Sequence, residues 1–175
     1  MFIKNLKTYC YFGAVFLFIV YLFTVNKWLP SLFDYSPLKT VDYDTLEKKD
    51  IVYFSVDSTE CGENLKETCV MSGWAFCETK GDNLDKELIL ILKSVNKSYA
   101  IYPTITERED VSNAYAGTKT IVGNNHGYNV TVATVGMKSG IYDLYIYCKE
   151  NNENYGLVNT GITFKKEGRF MRTLR

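Results

Sequence analysis

The chain has 175 residues, with 20 Lys plus Arg, 20 Asp plus Glu and one His, so its formal charge is zero. That length fits one modest domain with an appendage and excludes a TIM barrel or a dinucleotide-binding fold beside a substrate domain. The lack of a basic excess excludes a generic nucleic-acid binder, and 46% hydrophobic against 23% charged residues excludes a disordered chain.

Residues 1–7 (MFIKNLK) read as a cytoplasmic tail. Residues 8–25 (TYCYFGAVFLFIVYLFTV) hold no charged side chain over 18 positions. As a helix they would rise about 27 Å, near the roughly 30 Å hydrocarbon thickness, so the sequence predicts one transmembrane helix and a lipid bilayer as partner. Tyr9 and Tyr11 on one side, and Trp28, Leu29 and Phe33 on the other, are candidate interfacial anchors. A cleaved signal peptide would need a small-residue site, and TVNKWLPSLFDY offers none. A buried core helix is the third alternative, disfavoured by bulky apolar residues on every side. Lys4 and Lys7 precede the segment, while Lys27 and Lys39 after it are diluted by Asp34, Asp42 and Asp44. The positive-inside tendency then predicts a single-pass cell-membrane protein with its N-terminus cytoplasmic and its C-terminal domain extracytoplasmic.

Residues 26–49 are expected to be a juxtamembrane linker. Pro30 and Pro37 discourage a continuous helix, although a short one fits near Tyr43–Lys49. From residue 50 to 166 the pattern becomes short strands. Strands are predicted at 51–56, 69–77, 86–94, 97–104, 118–122, 127–135, 139–150 and 155–164, with a hairpin turn at Val95-Asn96-Lys97. Leu88, Leu90 and Leu92 alternate with Ile89 and Ile91, as in a central strand apolar on both faces. Tyr142, Leu144, Ile146 and Cys148 share one face of their strand; Tyr145 and Tyr147 lie on the other. The fold class expected is all-β, an immunoglobulin-like antiparallel sandwich behind one N-terminal transmembrane helix, with a small barrel as the other architecture. Residues 167–175 read as a C-terminal tail.

Of five cysteines, Cys10 lies in the apolar segment. Cys61, Cys69, Cys77 and Cys148 lie in the part placed outside. Pairing Cys61 with Cys69 closes the polar loop GENLKET; pairing Cys77 with Cys148 joins two apolar strand faces. Zinc ligation is the rival, but no C-x2-C knuckle occurs; buried thiols are the third reading. No metal site and no cofactor are expected.

Catalytic residues are not expected either. His126, the only His, sits in the turn-like VGNNHGY and reads as a solvated loop residue rather than a triad base. Glu107, Glu109 and Asp110 read as a charged loop, with paired carboxylates of a glycan hydrolase as the enzymatic alternative. Phosphate-cradle, G-x-G-x-x-G and H-E-x-x-H motifs are missing. Asn96 and Asn129 fit the N-x-[ST] pattern, which matters only in a eukaryotic secretory pathway. Trp74 shares a face with Val70 and Phe76 and is expected in the core. Tyr102, Tyr145 and Tyr147 are the candidate ligand-binding residues, since exposed tyrosines stack on sugar rings; ordinary packing and a protein interface are the alternatives.

The run from Val70 to Thr104 resembles a small β-sandwich module of bacterial surface-polysaccharide systems, found with glycosyltransferases in envelope proteins. The likeness rests on Gly73-Trp74-Ala75-Phe76, the apolar strand Leu88 through Ser94, and Tyr99-Ala100-Ile101-Tyr102. Arg108, Asp110 and Val111, then Gly127-Tyr128, then Gly140, Tyr142, Leu144, Ile146 and Tyr147 continue it. The four outer cysteines depart from its pattern. The resemblance implies a membrane-anchored, non-catalytic accessory or glycan-binding module, partnered by a membrane glycosyltransferase, another multi-span protein or a surface glycan. A structural subunit of a membrane complex, using the sandwich as interface, is the alternative.

Overall fold

The computed structural model describes residues 13–21, 35–46, 48–61, 67–77, 86–117, 123–149 and 155–174. The chain divides into two units, Met1–Tyr35 and Ser36–Arg175. In the first unit, residues 13–21 form helix α1. Among the described residues no helix is long and apolar enough to cross a membrane. The transmembrane helix expected over 8–25 is corrected on that finding. The remainder of that segment, with Cys10, Lys4 and Lys7, lies outside the described residues. The single-pass localisation and the lipid-bilayer partnership rested on that helix and are withdrawn with it.

The second unit is built of two β-sheets. In chain order it runs β1 (Tyr35–Ser36), β2 (Lys39–Thr40), a 3-10 turn (Tyr43–Thr45), β3 (Val52–Cys61), β4 (Thr68–Cys77), β5 (Glu87–Lys93) and β6 (Ser98–Ile101). Then follow β7 (Thr104–Thr106), helix α2 (Glu109–Tyr115), β8 (Gly127–Ala133), β9 (Gly140–Lys149), β10 (Tyr155–Glu167) and β11 (Phe170–Leu174). One sheet has the order β1-β8-β4-β3, with β7 also on β8; the other is β11-β10-β9-β5-β6-β2. The order β7-β8-β4-β3 opposite β6-β5-β9-β10 is the strand placement of an immunoglobulin-type sandwich.

Period-two alternation decides which side chains enter the sandwich. From β4 the core takes Cys69, Met71, Ala75 and Cys77; from β5, Leu88, Leu90 and Leu92; from β9, Tyr142, Leu144, Ile146 and Cys148. Leu90, Leu92, Leu144 and Ile146 have no exposed surface, and such burial contributes at most about 1.5–3 kcal/mol for each side chain. Gly73 is a place where the core admits no side chain. A Cβ there would meet Ser55 O and the ring of Tyr128, which stands opposite Gly73 in the register.

The boundaries differ from the expected ones at both ends. Part of the expected linker belongs to the sandwich: Lys39 pairs with Ala100, Val41 N donates to Ser98 O at 3.1 Å, and Tyr43 is buried. The expected tail is a strand, β11, paired in register with β10 from Glu167↔Phe170 to Thr163↔Leu174. Helix α2 occupies part of the expected charged loop. The strand expected at 118–122 lies outside the described residues. Trp74 sits on the outer face of its sheet and not between the sheets, because Cys69, Met71, Ala75 and Cys77 take the inner positions of β4.

Candidate functional site

The outer face of the six-stranded sheet carries the tyrosines singled out from sequence. The 3-10 turn is capped by Asp42, whose carboxylate accepts from Asp44 N at 3.1 Å. The turn sets Tyr43 against Tyr145, with ring centroids 5.0 Å apart and an edge-on angle of 67°. The Lys93 ammonium lies 3.5 Å from the centroid of Tyr43 and the Lys48 ammonium 4.6 Å from it. Burial, then the neighbouring Tyr43, push the Tyr145 phenol above its ordinary pKa. Tyr145 and Tyr147 are half-buried against Ile89, Ile91 and Ala100, together with Val41, Leu46 and Leu157. Tyr102 lies just past β6, is 43% exposed, and has the Lys39 ammonium 4.7 Å from its ring centroid. Tyr145 and Tyr147 therefore share a packed cluster, whereas Tyr102 presents its ring at the strand end.

The outer face of the other sheet carries an aromatic row. Tyr53 stacks on Phe76 at 5.2 Å and Phe76 on Trp74 at 5.9 Å, with interplanar angles of 23° and 22°. Tyr115 from α2 meets all three rings edge-on or tilted, at 5.1–6.0 Å. Phe76 has no exposed surface. This is a satellite core beneath a short helix, not an open platform. His126, expected as a solvated loop residue, is buried beside it at 1% exposure, its ring 5.5 Å from that of Phe76. The Lys86 ammonium donates to Ala75 O at 2.7 Å and to His126 Nδ1 at 2.9 Å, leaving Nε2–H to donate to Gly123 O at 2.8 Å. Both ring nitrogens are thus engaged in holding the loop.

The carboxylates near α2 are likewise tied. Arg108 donates from Nε and Nη2 to Asp110 at 2.8 and 2.7 Å, and from Nη1 to Asp57 at 2.8 Å. The Arg108 hydrogen bond holds the Asp110 carboxyl at about 2, below the aspartate range, and the two carboxylates raise the guanidinium further. A carboxyl so stabilised as its anion is a poor general acid. Among the described residues no group of three or more metal-ligating side chains is assembled. The structure joins Cys61 to Cys69 in a disulfide, at the adjoining ends of β3 and β4. It holds Cys77 and Cys148 as buried thiols, Cys77 Sγ lying 3.4 Å from Cys148 O.

A further apolar surface lies partly on the segment expected to be a tail. β10 and β11 meet at Gly168 and Arg169, and Gly168 takes the left-handed φ of +55° that the tight turn requires. On the outer face, Ile141, Lys165 and Arg172 form one cross-strand row and Glu167 and Phe170 the next. Ile141 is 57% exposed and Phe170 59%. Lys165, Glu167, Phe170, Met171 and Arg172 line a depression of about 380 Å³. Lys165 bonds Glu167 at 2.6 Å and, as the main cause, lowers the pKa of its carboxyl. Below the turn, Lys166 is 1% exposed, donates to Gly168 O at 2.7 Å and faces Glu67 at 3.6 Å. The readable signal was the turn-like EGR followed by FMRTL, an extended-looking run.

Set against protein-family models, curated proteins and solved structures, the chain gives no match. The likeness to the surface-polysaccharide module therefore stands only on the residues quoted for it. The role it implied, an anchored accessory to a membrane glycosyltransferase or a holder of surface glycan, is corrected with the anchor: among the described residues no helix provides it.

Proposed function

We propose that this chain is a non-catalytic recognition domain that binds another protein through the β10–β11 hairpin. The observation that carries this reading is the end of the six-stranded sheet, which no described segment covers and where Ile141 and Phe170 remain more than half exposed beside Arg172. Other parts of the outer faces are covered by the chain's own segments, around Tyr43 on one sheet and under α2 on the other. Large apolar side chains clustered among cations at a rim match the composition of protein-binding surfaces. The engagement of both His126 nitrogens and of the Arg108-bound carboxylates supports binding without bond making.

The test places a photo-crosslinking phenylalanine analogue at position 170 and, as control, at position 95, where Val95 is 99% exposed in the β5–β6 turn. The expected result in producing cells is one defined protein adduct from position 170, identified by mass spectrometry and lost with Arg172→Glu. Equal adducts from both positions, or none from position 170, would overturn the reading.

A further inference from the structure

We propose that β11 is a docking edge for an extended acidic segment of a partner protein, added antiparallel or parallel as a further strand of the six-stranded sheet. This deepens the recognition reading and rests on it.

The backbone supplies the first half of the argument. β11 is the last strand of its sheet, so among the described residues nothing pairs with its outer edge. The two-residue turn makes Glu167 and Phe170 a hydrogen-bonded pair, and the antiparallel ladder alternates from there. Phe170, Arg172 and Leu174 therefore direct their backbone groups toward β10. Met171 and Thr173 direct theirs outward, to an incoming strand. Other edges are blunted. β2 has two residues, and β3 is broken by a register shift between Val56 and Ser58 and carries Asp57 and Glu60. β11 has five residues in unbroken register.

Charge supplies the second half. Around the edge stand Lys165, Lys166, Arg169 and Arg172, against the carboxylates Glu67 and Glu167. Arg169 and Arg172 are the most open of these cations, with side chains 80% and 61% exposed. A strand with carboxylates on its outer face, level with Arg172, and apolar groups on its inner face, level with Met171, complements both the charge and the alternation. A second copy fits less well: two β11 strands paired antiparallel about Arg172 would set guanidinium against guanidinium.

The experiment uses the full chain and two short synthetic peptides, one alternating Val with Glu and one alternating Val with Lys. Binding is read by fluorescence anisotropy, and the edge amides by hydrogen exchange. The key variant is Thr173→Pro. It removes an outward N–H, leaves the β10 ladder intact, and keeps Arg172 extended. The expected result is binding of the Glu peptide with protection of the Met171 and Thr173 amides, about tenfold weaker with Thr173→Pro, as for one or two lost hydrogen bonds. Arg172→Glu, at an exposed position, is expected to reverse the preference between the two peptides. Equal binding of both peptides, or full affinity in a folded Thr173→Pro variant, would overturn the proposal. So would self-association of the wild-type chain abolished by Thr173→Pro, since a second copy would then hold the edge. Adducts from position 170 without peptide binding would sink this inference alone; loss of both would sink the recognition reading too.

Discussion

Truncating Phe76 and Trp74 separately tests which side of β4 holds the core. Phe76 has no exposed surface and sits 5.1–5.9 Å from the rings of Tyr115, Tyr53, His126 and Trp74. Removing its ring leaves a cavity under α2 that a seven-residue helix with one buried side chain, Val111, cannot refill by itself. The expected cost of Phe76→Ala is about 3–5 kcal/mol. Trp74 is stacked on one side and partly open, so Trp74→Ala loses a smaller share of its contacts, about 2 kcal/mol. With a urea slope of about 2 kcal/mol per molar, the unfolding midpoints fall by about 2 M and 1 M respectively. Far-ultraviolet circular dichroism is the assay, because Trp74→Ala removes one of the two tryptophans that fluorescence would follow. A Trp74→Ala cost equal to or larger than that of Phe76→Ala would place Trp74 between the sheets and refute the face assignment.

The Cys61–Cys69 disulfide spans a sequence separation of eight residues, so its reduction is expected to cost about 2–3 kcal/mol in equilibrium unfolding with and without reductant. Cys77 and Cys148 are expected to react with alkylating reagents only after denaturation, since at most 1% of either is exposed. Arg108 depresses the Asp110 pKa, so this contribution to stability is complete above the ordinary aspartate value of about 3.9 and is lost as pH falls through about 2. A carboxyl-carbon NMR titration is expected to show that midpoint in the wild type and its return to the ordinary value in Arg108→Gln. Tyr128 Oη is buried with no hydrogen-bond partner among the described residues, and burial drives its pKa up. Tyr128→Phe is therefore expected to leave stability unchanged or raise it by about 1 kcal/mol, and a clear loss would reveal a partner for the hydroxyl.

Strand alternation was the most legible signal. β5 reads as apolar on both faces because it is central: Leu88, Leu90 and Leu92 face the core while Ile89 and Ile91 meet Tyr145 and Tyr147. The same rule cannot orient β4, whose two faces are both apolar. There the inner side was set by size, Gly73 and Ala75 leaving room for Tyr128 while the larger Trp74 and Phe76 point outward. Helix α2 is seven residues long, less than two full repeats of the helical period, so periodicity had nothing to register. The apolar run near the N-terminus illustrates a different limit. Hydropathy and length alone suggested a spanning helix, and among the described residues no helix is long and apolar enough to be one. His126 looked solvated because its neighbours are Gly and Asn. Its burial depends on Lys86 and Phe76, forty or more residues away in sequence.

Tyr102, Tyr145 and Tyr147 suggested a binding face, yet Tyr145 packs against Tyr43 on one outer surface, as Tyr53, Trp74, Phe76 and Tyr115 pack together on the other. A two-layer sandwich leaves both outer faces to solvent, and apolar stripes there must be covered. This chain covers one with the segment that leads into β3 and the other with the helix between β7 and β8. Each cover is local and fixes aromatic rings edge-on. The β10–β11 end has no such cover among the described residues, but it is not loose. Lys166 reaches inward and donates to the carbonyl of Gly168, and Glu67 faces that ammonium while also facing Arg169. The turn is thereby tied to the body of the domain by a cation with almost no exposed surface. A strand docking on β11 would meet an edge already ordered, so the entropy of arranging it is spent in folding and not at binding. Specificity would then come from the exposed side chains of Phe170 and Arg172, which the tie leaves outside.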